Sequence, residues 1–209
     1  MISRPMQTKI EKINASSALA IKIIEGENEE DLSFLSFREK LAMANISHPE
    51  KQLEWISSRR AIFDATNALG IEYPGFFKDE HGKSQAMDEK GHVSLSHTKG
   101  VATAIYHKVR PVGIDLEFIR EKVVAIGPRF LAKEELEFLI TNPVHFTMAW
   151  SAKESIFKCL GKRGVSFREH IRLAPFEMNS ETISGTVQGH DYQIQVSQME
   201  NLILTYTIW

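Results

Sequence analysis

Alternating apolar positions in two regions of the chain predict β-strands. The segment ALAIKIIE at 18–25 places Leu19, Ile21 and Ile23 on one side, which is the two-residue period of a half-buried strand. The segment from 183 to 209 shows this period twice and predicts a closing hairpin. Both regions are therefore expected to lie in sheets.

A helical period replaces the alternation between residues 33 and 69. It is interrupted at NISHPE, where Ser47, Pro49 and Glu50 have the spacing of a capping box at the start of a second helix. Gly70 is the expected stop of that helix, because glycine readily adopts the left-handed conformation that ends helices. This region is therefore predicted to form two consecutive helices.

The middle of the chain is predicted to contain three strands. Residues 73–92 are rich in turn-forming residues. The segments HVSLSHT and VATAIYHK follow, with Lys99-Gly100 between them, as in a hairpin. PVGIDLEFI comes after a turn at Arg110-Pro111 and is predicted to be the third strand.

The helical period returns from 128 to 160, with Gly161 as the expected stop. Strands and helices thus occur twice in the same order. Separate runs of strands and helices are typical of α+β proteins. We therefore predict an α+β fold with an N-terminal half, residues 1–110, and a similar C-terminal half, residues 111–209.

Composition excludes several kinds of protein. The formal net charge of −2 gives no overall attraction to nucleic acid or to an anionic membrane, so any anion-binding surface must be local. Cys159 is the single cysteine, which excludes an intrachain disulfide and a cysteine-based zinc site. The sequence contains neither a signal-peptide core nor a run of about 18 apolar residues. We therefore expect a cytoplasmic protein.

Two acidic residues on the predicted strand GIDLE indicate a metal site. Strand side chains alternate, so Asp115 and Glu117 point to one face while their apolar neighbours point to the other. Adjacent carboxylates repel each other, and Mg²⁺ with its preference for oxygen ligands relieves that repulsion. The alternative is a solvent-facing strand that happens to carry two acids.

Residues 150–158, WSAKESIFK, place Glu154 and Lys158 one helical turn apart. The pair can face a charged ligand, or it can be an ordinary helix-surface ion pair. Ser151 and Glu154 also have capping-box spacing, although the preceding HFTMAW already has a helical pattern.

Basic and hydroxyl side chains elsewhere suit phosphate oxygens. Ser96 and His97 lie at the end of a predicted strand, before a glycine turn. Arg59 and Arg60 are consecutive in a predicted helix, so at most one of them faces a given partner. The alternatives are a structural histidine and two solvated arginines. No P-loop, dinucleotide-binding or serine-hydrolase motif is present.

The ordered motifs GKS, VSLSHT, VGIDLE and WSAKESIFK resemble those of the 4′-phosphopantetheinyl transferases. They lie within residues 81–161, and the D-x-E and W-S-x-K-E-x-x-x-K motifs in this order are highly specific. The length and the doubled element order resemble the larger, pseudo-dimeric class, the surfactin-synthetase-activating type. Ser84 stands where the family has proline after GK, which weakens the assignment of Lys83, and Thr98 replaces a serine.

The resemblance implies a fold and a set of site residues. Two halves related by a pseudo-two-fold axis would hold coenzyme A in the cleft between them. Asp115, Glu117 and Glu154 would bind Mg²⁺, and Glu154 or a water that it orients would help to deprotonate the attacking serine. Lys158 would be catalytic through its contact with the pyrophosphate. The other residues implied to bind coenzyme A are Arg59, Arg60, Lys83, Ser96, His97 and Lys153.

The implied reaction moves the phosphopantetheine arm of coenzyme A to a serine of an apo acyl or peptidyl carrier protein and releases 3′,5′-ADP. One chain would act as a monomer, without nucleic acid or membrane partners. The segment RFLAKEE borders the predicted metal strand and carries Arg129 and Lys133, so it is a candidate docking surface for an acidic carrier. The alternatives are a non-catalytic module that binds coenzyme A or a carrier protein, and a Mg²⁺-dependent hydrolase of nucleotide pyrophosphates.

Overall fold

A computed structural model describes residues 9–23, 32–80, 82–162 and 164–209. The chain divides into two compact units, Met1–Val109 and Arg110–Trp209, each with its own antiparallel sheet. Helices and antiparallel sheets together confirm the predicted α+β class. The pseudo-two-fold relation remains a prediction.

The described residues of the N-terminal unit form a six-stranded sheet and two helices. In chain order its elements are β1 (Lys9–Asn14), β2 (Ser17–Ile23), α1 (Phe37–Ala44), α2 (Pro49–Ala68), β3 (Phe76–Lys78), β4 (Ser84–Ala86), β5 (His92–Thr98) and β6 (Val101–His107). The strand order is β1-β2-β6-β5-β4-β3. Helix α2 packs on β2 and β6, where Ala18, Ala20 and Ala104 leave room for the close approach of Ile62.

Most predicted elements of this unit are confirmed. Strand β2 matches the predicted strand, of which residues 24 and 25 lie outside the described residues. Strands β5 and β6 form the predicted hairpin, and Gly100 turns it with a φ of 83°. Strand β1 and the short hairpin of β3 and β4 were not predicted.

The predicted capping box at Ser47 is wrong. Helix α2 begins at Pro49 with His48 as its N-cap, and no side chain caps it. A capping box is instead formed in α1, where Ser36 and Glu39 bond each other's backbone N–H groups. Glu39 is 2% exposed, so this cap also carries a carboxylate into the interior of the unit.

In the C-terminal unit, the part of the chain that the structure describes forms a five-stranded sheet and three helices. Its elements are β7 (Val112–Phe118), α3 (Lys122–Phe130), α4 (Lys133–Phe138), α5 (Pro143–Leu160), β8 (Ile171–Leu173), β9 (Thr182–Val187), β10 (His190–Met199) and β11 (Leu202–Ile208). The strand order is β7-β11-β10-β9-β8. The predicted closing hairpin is β10 with β11, whereas β8 and β9 were not predicted.

Helix α5 lies against β7 and β11, and this contact positions the candidate site. It begins at Pro143, where Asn142 caps it, and it ends at Gly161, whose φ of 61° confirms the predicted stop. Because the helix starts well before Ser151, Ser151 and Glu154 do not form a capping box. A side chain at Gly113 on β7 would lie 1.8 Å from the carbonyl oxygen of Ser155, so only glycine permits this approach. Among the described residues, no helix is both long and apolar enough to cross a membrane.

Candidate active site

Asp115 is held deep in the contact between β7 and α5. Its carboxylate is 3% exposed and accepts hydrogen bonds from two α5 side chains. Ser151 Oγ donates to Oδ2 at 2.9 Å, and Lys158 Nζ donates to Oδ1 at 2.7 Å. Lys158 Nζ also donates to the carbonyl oxygen of Ile114 at 3.1 Å. The lysine that the sequence singled out is therefore tethered to one of the predicted acids.

Glu117 lies two residues further along β7 and is half-buried. Trp150 Nε1 donates a hydrogen bond to Glu117 Oε1 at 3.1 Å. Burial raises the pKa of Glu117, and the charge of Asp115 raises it further, while Trp150, Lys158 and Arg120 act in the opposite direction. The predicted repulsion between the two strand acids is thus present in the structure.

Glu154 belongs to the same electrostatic cluster. Burial raises its pKa to about 7; Lys158 lowers it, whereas Asp115 and Glu117 raise it. A carboxyl group with this pKa exists in both protonation states near neutral pH, as is usual for groups that exchange protons in catalysis. The structure therefore brings together four residues predicted from the sequence: Asp115, Glu117, Glu154 and Lys158.

The three carboxylates have the oxygen donors that Mg²⁺ prefers, and their mutual repulsion is the electrostatic condition that a divalent cation relieves. Within the described ranges, no three His, Cys, Asp or Glu side chains are already arranged to hold a metal ion. Lys158, Ser151 and Trp150 instead hold the two strand acids. The donor set therefore fits Mg²⁺ chemically, and binding would require these carboxylates to turn.

A hydroxyl cluster keeps α5 close to the sheet. Thr205 Oγ1 on β11 donates to the carbonyl oxygen of Ser151 at 2.8 Å, and Ser155 Oγ donates to the carbonyl oxygen of Thr205 at 3.0 Å. All three residues are fully buried. This cluster was not predicted, although two serines four residues apart in an otherwise apolar helix face are a signal for it.

The predicted phosphate contact of Lys153 is wrong. The side chain is 0% exposed and is paired with Glu135 at 2.6 Å. Its amine also donates to three backbone carbonyl oxygens. Burial lowers the pKa of Lys153, and Glu135 opposes that shift. A phosphate cannot reach this amine unless the surrounding chain opens.

A cavity of about 540 Å³ in the N-terminal unit contains two of the predicted phosphate-binding residues. Its lining residues include both basic and aromatic side chains: Ile46, Lys51, Glu54, Trp55, Ser58, Arg59, Lys78, Leu95 and His97. Lys51 is bonded to Glu54 at 2.7 Å. Nothing in the sequence marks Lys51, Trp55 or Lys78 as site residues, because neither a lone surface lysine nor an amphipathic-helix tryptophan signals a cavity.

Arg59 lines this cavity from a rigid position. Its guanidinium carbon lies 3.3 Å from the ring centre of Trp55 and 4.5 Å from that of Phe76. Its Nε atom is 3.8 Å from the buried Glu39 carboxylate. Burial lowers the pKa of Arg59 to about 10, while Tyr73 and Glu39 raise it, so the group stays charged at neutral pH.

Arg60 faces a different environment. It pairs with Asp64 at 3.5 Å and lies over the rings of Phe34 and Phe63. Of the two consecutive arginines, Arg59 is therefore the one that lines the cavity. His97 is exposed beside it on β5.

The other two predicted residues lie on neighbouring strands. Ser96 is 8% exposed and is in register with Thr103 on β6. Lys83 immediately precedes β4, and its backbone N–H donates to Asp79 Oδ1 at 3.0 Å. Burial lowers the pKa of His92, and the positive charge of Lys83 lowers it further.

A smaller cavity, of about 180 Å³, lies beside Glu117 in the C-terminal unit. Apolar and basic side chains line it together: Glu117, Phe118, Arg120, Lys122, Val123, Ile126, Thr147 and Trp150. Arg129 on α3 and Lys133 on α4, the residues proposed for carrier docking, are both exposed. Arg120 and Lys122 thus bring two positive charges to the lining of this cavity, next to Glu117.

Comparisons with known proteins agree with the motif resemblance. The family model of the 4′-phosphopantetheinyl transferase superfamily matches residues 111–207, which include all three carboxylates. The chain is 35% identical over 114 residues to the 4′-phosphopantetheinyl transferase psf-1 of Bacillus pumilus, covering 52% of the chain and 48% of that protein.

Two further relatives cover more of the chain. The chain is 29% identical to the 4′-phosphopantetheinyl transferase HetI of Nostoc sp., over 69% of the chain and 67% of that protein. It is 28% identical to the enterobactin synthase component D of Salmonella typhi, over 65% of the chain and 58% of that protein. The chain thus spans about half to two thirds of the length of these relatives.

Proposed function

We propose, from the match of residues 111–207 to the model of the 4′-phosphopantetheinyl transferase superfamily, that this protein transfers the phosphopantetheine arm of coenzyme A to a carrier-protein serine. The carrier is an apo acyl or peptidyl carrier protein, and the other product is 3′,5′-ADP. The observation that carries the proposal is the cluster of Asp115, Glu117 and Glu154 with Lys158 one helical turn from Glu154. The larger, pseudo-dimeric class, a monomeric enzyme and a cytoplasmic location belong to the same proposal.

The residues of the cluster suit the chemistry of this transfer. The serine oxygen forms a bond to the phosphorus that carries the pantetheine arm, and the bond from that phosphorus to the bridging oxygen breaks. Glu154, or a water that it orients, accepts the serine proton. The electron pair of the broken bond leaves on 3′,5′-ADP, and the ammonium of Lys158 stabilises the negative charge there.

Asp115, Glu117 and Glu154 would hold Mg²⁺, which when bound neutralises pyrophosphate charge. Transfer of a phosphoryl-type group depends mainly on positioning and electrostatics, so no covalent nucleophile of the enzyme is required. The buried Ser151 and the indole of Trp150 orient the strand acids from α5.

The cavity around Arg59 and His97 is proposed to take the phosphorylated nucleotide end of coenzyme A. Arg59 presents a charged, planar group whose position is fixed by Trp55 and Phe76, which favours bidentate phosphate contact. Lys78 lines the same cavity. Lys83 and Ser96 remain predicted contacts on the neighbouring strands.

Intact-mass spectrometry of an apo carrier protein tests the function. The carrier is incubated with the protein, coenzyme A and Mg²⁺. A mass gain of one phosphopantetheine arm is expected, and it should be lost with a chelator or with Glu154→Ala. If no carrier class gains the arm although coenzyme A binds, the transferase proposal is wrong and a non-catalytic binding module is favoured. Consumption of coenzyme A without a carrier would favour the pyrophosphate hydrolase.

A further inference from the structure

A buried ion pair lies next to the acidic cluster in the C-terminal unit. The side chains of Lys153 on α5 and Glu135 on α4 are 0% and 2% exposed, and their charged atoms are 2.6 Å apart. Replacing a buried pair by apolar residues often costs no stability, so stability alone gives little reason for this arrangement. The contacts of the pair indicate a geometric role.

The pair connects several chain segments to one turn of α5. Lys153 Nζ donates to the carbonyl oxygens of Phe130 at 3.0 Å, Phe167 at 2.9 Å and Ile171 at 2.9 Å. Glu135 accepts from the backbone N–H groups of Ala132 at 2.7 Å and Leu173 at 2.8 Å. The end of α3, the start of α4, the segment before β8, and β8 itself are therefore all fixed to α5 through two side chains.

The other side of the same helix turn is fixed to the sheet. Ser151 and Ser155 bond Thr205 on β11, while Lys153, midway between them in sequence, bonds α3, α4 and β8. A helix bonded on two sides can neither turn about its axis nor slide without breaking buried hydrogen bonds. Glu154 directly follows Lys153, so its direction depends on both attachments.

We propose that Lys153 and Glu135 are positioning residues that fix the rotation of α5, and thereby aim Glu154 and Lys158 at Asp115. The inference rests on the proposed transferase function for its kinetic consequences. It gives Lys153 a role without any phosphate contact. A displacement of about 1 Å near reacting groups can lower a rate about 10²-fold, so a small rotation of α5 is sufficient to matter.

The test compares Lys153→Met and Glu135→Gln with an exposed control, Lys162→Met. Circular dichroism and thermal unfolding first establish that each variant is folded at the assay temperature. Glu135→Gln leaves the three carbonyl acceptors of Lys153 in place, so it provides a folded variant if Lys153→Met does not. The measurements are kcat at saturating coenzyme A, the Kd of coenzyme A by calorimetry, and hydrogen–deuterium exchange of residues 143–160.

Both pair variants are expected to lose about 10²-fold in kcat while the Kd of coenzyme A changes by less than about threefold. The double variant should be no worse than the poorer single variant, because both remove one interaction. Exchange of the α5 amides should rise in both variants and stay unchanged in Lys162→Met.

Three results would overturn the inference. If Lys153→Met raised the Kd of coenzyme A tenfold or more and left kcat unchanged, Lys153 would have to contact a phosphate, as the sequence predicted. An unchanged kcat in folded pair variants would leave the pair with a purely structural role. Unchanged amide exchange in α5 would show that the pair does not fix this helix. If the wild-type chain transfers no arm, the proposed function fails, but the exchange of α5 still decides whether the pair fixes this helix.

Discussion

The surroundings of Glu154 raise its pKa, and the same surroundings lower the free energy of unfolding when the carboxylate is charged. Burial raises its pKa from an ordinary 4.5 to about 7, with Lys158 opposing and the two strand acids adding to the shift. The folded chain therefore binds more protons at this position than the unfolded chain between these two values. By linkage, the free energy of unfolding falls as pH rises through that window.

We expect Glu154→Gln to remove this pH dependence. Because the neutral amide is not penalised by burial of charge, the variant should be more stable than the wild type by about 3 kcal/mol at about pH 8, and little different at about pH 4.5. Denaturant unfolding in the presence of a chelator measures the difference. Glu137→Gln, an exposed acid on α4, is the control and should change neither value. Parallel pH profiles for the wild type and Glu154→Gln would contradict the prediction.

Arg59 and Arg60 offer a matched comparison because they are adjacent in sequence and face different surroundings. Arg59→Ala should weaken coenzyme A binding by about 10- to 100-fold, since it removes a charged group that lines the cavity. Arg60→Ala should change the Kd by less than about threefold, because Arg60 pairs with Asp64 instead. Calorimetric titration with coenzyme A measures both. A larger loss for Arg60→Ala would place the nucleotide elsewhere.

Two lysines of one helix show why sequence alone identifies a site incompletely. Lys153 and Lys158 belong to the same motif, and both were predicted to bind phosphate. They are five residues apart and so point about 140° apart around the helix. Lys158 reaches Asp115, whereas Lys153 enters the core and meets Glu135. Which side of α5 is covered by α3, α4 and β8 is decided by tertiary packing, which residue types do not reveal.

At the scale of elements, the contact of α5 with β7 depends on the absence of a side chain at Gly113. A methyl group there would meet the Ser155 carbonyl oxygen, which belongs to the helix backbone and cannot move aside. We expect Gly113→Ala to lower the free energy of unfolding by about 3 kcal/mol and to abolish transfer. Gly189→Ala meets no atom within 4 Å and should cost about 1 kcal/mol, from its φ of 82° alone.

Denaturant unfolding of both glycine variants, with carrier modification at a temperature where each is folded, checks this prediction. A Gly113→Ala chain as stable as Gly189→Ala would mean that α5 can shift away from β7 at little cost.

The period of the sequence predicted most of the long elements and missed the shortest ones, and it also missed β1 and β9, which have six residues each. Strands β5, β6 and β7 and helix α5 are long enough to show a hydrophobic period. Strands β3, β4 and β8 have three residues each, too few for any period to appear. Helix α3 begins at Lys122 although its pattern was recognised only from residue 128, because Pro128 inside the helix looks like a helix start.

At the scale of the whole molecule, the chain has a small negative net charge, yet its surface carries the basic side chains of Arg129 and Lys133, and Arg120 and Lys122 line the cavity beside Glu117. Carrier proteins that are acidic around their serine would be attracted to such a surface. Arg129→Glu with Lys133→Glu is expected to raise the KM for the carrier about tenfold or more and to leave the Kd of coenzyme A unchanged. Steady-state kinetics with varied carrier, at two salt concentrations, measures the change. Unchanged carrier kinetics would exclude this surface.

The C-terminal unit has the features of an independently folding domain. Among its described residues, most of the buried apolar side chains form one cluster that extends from α3 and α5 to the sheet. The region matched by the family model coincides closely with this unit. Because domains with their own core fold cooperatively, we expect residues 110–209 expressed alone to unfold in a single thermal transition.

This fragment separates folding from function. It retains Asp115, Glu117 and Glu154 but lacks Arg59 and its cavity, so we expect a folded fragment that modifies no carrier. The same fragment with Gly113→Ala is the control, and its transition should shift to a lower temperature because the contact between β7 and α5 is lost. Circular dichroism and calorimetry follow the transition, and mass spectrometry follows the carrier. A fragment without a cooperative transition would show that the core of this unit is insufficient by itself, whereas a fragment that transfers the arm would mean that Arg59 is not needed to bind coenzyme A.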